Sequence, residues 1–186
     1  SRNVTMGLHV LVLQAAALAQ TCQSAAEVAA ALKRLRERVR LLAVVDTLKY
    51  LQMGVRLSGA TAKVGTVLGV KPVIHVSDGK VSVAHISRSR KAGARWILEQ
   101  YSRCPAHRGQ VVVGHTGAPE LMQELIRQAQ DTVDLSQAGQ VEIGAVVGVH
   151  AGPGCYGMAW IAPDNSRWVM CPSAFLERPL WAACFG

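Results

Sequence analysis

The stretch KPVIHVSDGKVSVAHI, residues 71–86, limits the possible folds more than any other part of the chain. Two Val-rich runs flank Ser77-Asp78-Gly79, and an Asp-Gly pair supplies the backbone a tight hairpin turn needs. The rest of the pattern alternates strand and helix. LLAVVDTL (41–48) is a short, nearly all-apolar run that reads as a buried strand, with Asp46-Thr47 capping the helix after it. RSRKAGARWILEQY (88–101) reads as a helix despite Gly93. QVVVGHTGAPELMQELIRQAQ (110–130) reads as strand, loop and helix, with Pro119 in the first turn and Glu120 favouring the helix dipole. VEIGAVVGVHAGPG (141–154) reads as a strand running into a glycine-rich loop, and YGMAWIA (156–162) as a last strand. A hairpin among alternating strands and helices demands antiparallel as well as parallel neighbours, so the fold class is α/β with a mixed sheet.

SRNVTMGLHVLVLQAAALAQ, at the start of the sequence, has an early Arg, an apolar run and an Ala-Leu-Ala end, as secretory signals do. His9 and Gln14 interrupt it, and it is too short and polar for a span of ~20 apolar residues. Leu8, Leu11, Val12, Ala15 and Leu18 fit a helical stripe, which favours an amphipathic helix of the domain. Ser24 and Glu27 form a capping-box pattern that opens a second helix. There Leu32, Leu35 and Val39 share a face, and Lys33, Arg34, Arg36, Arg38 and Arg40 read as a solvated surface. YLQMGVRLSGATAKVGTVLGV (50–70) reads as helix, glycine stop and short helix. From Pro163 onward no periodicity is clear, and residues 163–186 read as an atypical extension.

With 186 residues the chain makes one ordinary domain or two small ones. It is 50% hydrophobic and 17% charged, which provides a real core and excludes disorder. A net charge of +8 points to an anionic partner: nucleic acid, a membrane surface, a phosphorylated ligand or an acidic protein. Aromatic residues make up only 5%, too few for base-stacking platforms, and no RNA-module or zinc-finger signature occurs, so no nucleic-acid partner is expected. The five cysteines (Cys22, Cys104, Cys155, Cys171 and Cys184) are odd in number and form no C-x-x-C, as in a reducing compartment. A cytoplasmic protein is expected.

His75, His85, His115 and His150 lie in or beside the expected strands, at spacings that match no metal signature, so neither a metal nor a cofactor is expected. His115 and His150 each follow a Val-rich run and precede a Gly/Pro turn. Strand ends are where α/β sheets place ligands, which makes His150, and His115 with Thr116, candidate pocket residues. Gly148, Gly152, Gly154 and Gly157 form no phosphate-loop pattern, and no nucleophile elbow is present. A Cys155–His150 thiol pair lacks an orienting group. In SRSRKAGAR (87–95), Lys91 and Arg95 share a helical face after Arg88 and Arg90. The cluster reads either as a solvated face or as a dock for an acidic partner or phosphorylated product.

Five stretches, in this order, resemble the bacterial DegV-like family: VTMGLHVLVLQAA, RVRLLAVVDTLKYLQMGVRLS, AKVGTVLGVKPVIHVSDGKV, SRSRKAG and GVHAGPGCYG. The resemblance implies a non-enzymatic lipid carrier that binds one long-chain fatty acid in an apolar tunnel. It also implies a partner fatty acid kinase, which phosphorylates the bound carboxylate. The family's H-x-G-P-G motif falls on His150, Gly152, Pro153 and Gly154, with the histidine in the hydrogen-bond network around the carboxylate. The family's surface arginines, which engage the kinase, correspond to Arg56 and to Arg88 or Arg90. The family's first portion, with its hydroxyl-bearing ligand motifs, is not in this sequence. Residues 1–60 are then expected as the remnant of an N-terminal α/β domain, and residues 61–162 as a two-layer C-terminal α/β domain with a mixed sheet. Peripheral contact with a membrane surface is a further expectation. Two alternatives stand beside the carrier: a small hydrolase using His150 as acid/base, and a truncated fragment with impaired ligand binding.

Overall fold

The computed structural model describes residues 1–54, 69–106, 110–130 and 132–163. Six helices and six strands occur among them: α1 (Thr5–Ala19), α2 (Ala25–Leu35), β1 (Val39–Val44), α3 (Lys49–Met53), β2 (Lys71–Ser77), β3 (Lys80–Ser87), α4 (Arg90–Arg103), β4 (Val111–His115), α5 (Pro119–Ala129), β5 (Gly139–Glu142), α6 (Ala145–Ala151) and β6 (Tyr156–Ile161). A single 3₁₀ turn, Arg36–Arg38, links α2 to β1.

The strands form one sheet in the order β3-β2-β1-β6-β4-β5. All neighbours are antiparallel except β4 and β5, so the mixed sheet expected from the hairpin is what the chain forms. The hairpin turns at Asp78 (φ 51°) and Gly79 (φ 73°), the pair of positive φ values that a type I′ turn needs. β1 lies inside the sheet between β2 and β6, so Val39–Val44 and the strands beyond residue 61 share one set of ladders. The last strand in sequence, β6, is also central, running antiparallel to β1 and β4.

Helices cover both faces. α4 and α5 bury Ala94, Ile97, Leu98, Tyr101, Met122 and Leu125 against Leu42, Val44, Val113, Met158 and Trp160. α1, α3 and α6 lie on the opposite face, over Leu41, Ala43, Ile74, Val112 and Ala159. α1 and α3 from the earlier part of the chain, together with α6, cover the second face of the sheet.

Helix ends follow local chemistry. Ser24 Oγ accepts from Glu27 N–H at 3.3 Å, and Glu27 Oε2 accepts from Gln23 N–H at 3.1 Å, close to the expected capping box. Ser89 Oγ caps α4 through Ala92 N–H at 3.1 Å. α1 differs from its expected stripe. It buries Met6, Val10, Leu11 and Gln14, and leaves Leu8 and Val12 exposed. Apolar residues surround this helix, so packing rather than pattern selects its inner face, and Gln14 is accommodated by donating from Nε2 to Gln110 Oε1. Asp46 does not cap α3. Its carboxylate accepts from Lys71 Nζ and Arg90 Nη2, and Thr47 Oγ1 accepts from Lys49 N–H instead.

Candidate functional site

The sheet's two faces carry side chains of different size in β6. In β6, Tyr156, Met158 and Trp160 point toward α4 and α5, while Gly157 and Ala159 point the other way. A side chain at Gly157 is excluded, since its Cβ would lie 2.1 Å from Leu42 O. On the side of α1, α3 and α6 lies a cavity of about 380 Å³, whose floor in the sheet is Leu41 and Ala43 of β1 and Ile74 and Val76 of β2. That volume falls at the lower end of the range for small-molecule sites. Met6, Leu41, Ala43, Leu51, Ile74 and Val76 supply most of the wall, with Ile143, Val147, Ala151 and Cys155 at one side and His150 among them.

His150 arrives there by a route the sequence reading missed. The Val-rich run expected as a strand is helical. β5 ends at Glu142, and α6 then turns Val147 and Ala151, four residues apart, onto the cavity. Val146 is 84% exposed at the cavity's rim, and Val149 is 64% exposed outside it. His150 therefore sits in the last turn of a helix, not at a strand end. It is half-buried, and among the described residues its ring makes no hydrogen bond.

The loop after α6 is fixed by Thr116. Thr116 Oγ1 donates to Gly152 O at 2.6 Å and accepts from Cys155 N–H at 3.0 Å. Its backbone N–H donates to Cys155 O at 2.8 Å, and its carbonyl accepts from Gly154 N–H at 3.0 Å. Gly152 has φ +78°, and a Cβ there would sit 2.3 Å from Tyr50 Cδ2, so glycine is required by backbone conformation and by space alike. Pro153, between the two glycines, is exposed.

The other sequence candidates fall elsewhere. His115 does not line the cavity. It lies on the α5 side, where Nδ1 accepts from Ala118 N–H at 3.1 Å and so helps start α5. His75 and His85 are also on the α4 side, and burial lowers the pKa of both, His75 to about 4. Among the described residues no group of three or more His, Cys, Asp or Glu is placed to hold a metal ion. Burial pushes the Cys155 thiol up to about 12, which keeps it protonated and unsuited to pair with His150 as a nucleophile. Arg56 lies outside the described residues. Arg88 and Arg90 are exposed at the start of α4. Arg90 flanks the glycine loop, its Nη2 being 3.9 Å from where a Cβ on Gly154 would stand. It is paired with Asp46 at 2.5 Å, and Lys71 with the same carboxylate oxygen at 2.6 Å. These cations, Lys71 foremost, hold the Asp46 carboxyl below its ordinary pKa. Sequence reading found neither this cluster nor Tyr50 and Thr116 as supports of the loop.

The class defined by this fold and site is an α/β protein with a mixed sheet, one face of which keeps an apolar cavity with a histidine in its wall. The chain belongs to the DegV family: the family described as "Uncharacterised protein, DegV family" matches residues 1–163. A DegV domain-containing protein of Deinococcus radiodurans is 34% identical over 161 residues, which are 86% of this chain and 57% of that protein. The solved structure of a DegV family protein from Thermus thermophilus, described as fatty acid binding, is similar at TM-score 0.75 and 29% identity, over 87% of this chain and 59% of its own. A stearic-acid-binding protein of Eubacterium ventriosum is similar at TM-score 0.69 and 27% identity, over 87% and 57%. The chain thus spans little more than half the length of these relatives. Among the described residues no helix is long and apolar enough to cross a membrane.

Proposed function

We propose that this chain binds one long-chain fatty acid, with the acyl chain in the cavity under α1, α3 and α6 and the carboxylate at His150. One observation carries the reading: a largely apolar cavity, whose other polar lining residues are Arg2, Asn3 and Thr5, has in its wall an imidazole that no described residue engages. Each CH₂ taken from water contributes about 0.8 kcal/mol, so a long chain supplies most of the affinity. The imidazole supplies orientation, since a hydrogen bond to an ionised carboxylate in a water-poor site is strong. Gly152, Pro153 and Gly154 form the loop at the headgroup, where glycine backbone allows close approach. Two similar solved structures are described as binding fatty acids, which supports the same ligand here.

In this reading the protein is a carrier and not an enzyme. It presents the bound carboxylate to a partner kinase, which supplies the phosphoryl transfer, and it needs no cofactor of its own. Among the described residues Arg88 and Arg90 are the docking residues, because Arg90 flanks the glycine loop and both are exposed. Arg56 is proposed for the same role from sequence alone. The exposed Val146 and Val149, beside the cavity on a chain of net charge +8, favour peripheral contact with an anionic membrane surface. Solvent extraction of the purified protein should yield a fatty acid. Protein free of lipid that also takes up no added oleate would refute the reading.

A further inference from the structure

The end of the cavity away from His150 is lined by residues 2–5, the three residues ahead of α1 and its first one. Arg2, Asn3, Val4 and Thr5 line it together with Gly79 and Val81. The segment is fastened to the hairpin turn, where Arg2 O accepts from Gly79 N–H at 2.9 Å and Arg2 Nη1 pairs with Asp78 Oδ1 at 3.1 Å. The same nitrogen lies 3.2 Å from Glu37 Oε1, which also accepts from Arg36 Nε at 3.0 Å. Arg2 (φ 58°) and Thr5 (φ 43°) both occupy the left-handed region without being glycine. Such residues stay there only where their surroundings fix them, so both ends of the segment are held against their own backbone preference.

The strand register separates the two ends. Tyr156, next to Cys155 at the histidine end, is level with Val44, and Val44 with Val73. Gly79 is six residues beyond Val73 along the hairpin, roughly 20 Å at the rise of a strand. Within the Arg2–Arg36–Glu37–Asp78 group each guanidinium already faces a carboxylate. This group therefore has no net positive charge with which to attract a ligand carboxylate, and the inference assigns its end of the cavity to the apolar end of the chain.

We propose that the segment of residues 2–5, fastened by Arg2 to the Asp78–Gly79 turn and to Glu37, is the stop that sets the longest acyl chain the cavity accepts. The inference rests on the lipid-binding reading above. The test is the double variant Asp78→Asn/Glu37→Gln, which keeps side-chain shape and a residue that tolerates positive φ while removing both charges. Native mass spectrometry of the 186-residue chain with equimolar myristate and arachidate reads the ratio of the two bound acids. Hydrogen exchange at Gly79 N–H reads the fastening itself. The expected result is a three- to tenfold rise in the arachidate-to-myristate ratio, as for the loss of exposed ion pairs, with faster Gly79 exchange. Arg2→Gln, a second and independent variant, should move both readouts in the same direction. Faster Gly79 exchange with an unchanged ratio overturns the stop while leaving lipid binding intact, and unchanged exchange overturns the fastening. If the unsubstituted chain binds neither acid, the lipid-binding reading falls and takes this inference with it.

Discussion

The two faces of the sheet are built to opposite ends. Toward α4 and α5 the core is filled: Trp160 is fully buried, donates from Nε1 to Cys104 O at 2.7 Å, and meets the Tyr101 ring edge-on at 5.2 Å. Toward α1, α3 and α6 the sheet also buries a core, with Leu41, Val112 and Ile161 in it, but about 380 Å³ bounded by Leu41, Ala43, Ile74 and Val76 is left unfilled. Close packing is the normal state of a protein interior, and an unfilled volume costs stability in proportion to its size. Both faces bury a core, and the difference between them is the unfilled volume on one side, which the proposed function makes the space for a ligand.

The difference can be broken from the filled side first. Trp160→Ala should cost about 3–5 kcal/mol in urea denaturation, the usual range for emptying a large aromatic site. A cost below about 1 kcal/mol would mean that this face is not the stabilising one. Acid should act on the same face through His75. Burial lowers its pKa from 6.5 to about 4, so the folded protein holds it neutral while the unfolded chain protonates it below 6.5. The stability it contributes is present above pH 6.5 and is lost as pH falls toward 4, by up to about 3 kcal/mol. Denaturation midpoints at pH 7 and pH 5 check this, and a midpoint that rises on acidification would contradict it.

A matched pair of substitutions sharpens the comparison. Ala94→Leu adds bulk to the filled face and should destabilise by about 1–3 kcal/mol. Ala151→Leu adds the same bulk at the cavity wall. It should cost less than about 1 kcal/mol, because room exists, and should weaken fatty acid binding at least about tenfold. Equal stability losses at the two sites would remove the distinction between the faces.

Much of this was legible in the sequence where local chemistry decides structure. Asp78-Gly79 marked the hairpin, Ser24 and Glu27 the start of α2, and Pro119 the start of α5. The size alternation in YGMAWI carries the asymmetry of the faces within a single strand. What was not legible depends on contacts distant in sequence. Ala145–Ala151 reads as strand by its valines, but parallel pairing with β4 ends at Glu142 and the cavity rewards helical spacing instead. Asp46 looked like a cap because its partners, Lys71 and Arg90, lie 25 and 44 residues away. His115 and His150 shared a sequence setting, yet the fold puts them on opposite faces, one bonded to Ala118 N–H and the other at the cavity wall.

The position of a bound fatty acid's carboxylate can be read from an isotope label. Oleate labelled with ¹³C at its carboxyl carbon, bound to the chain and followed by NMR, reports the headgroup alone. A carboxylate at His150 predicts that His150→Gln shifts the bound resonance and lowers affinity about 10- to 100-fold, the range for a hydrogen bond to a charged group, while Arg2→Gln leaves the resonance in place. A resonance that moves with Arg2→Gln and ignores His150→Gln would contradict the account.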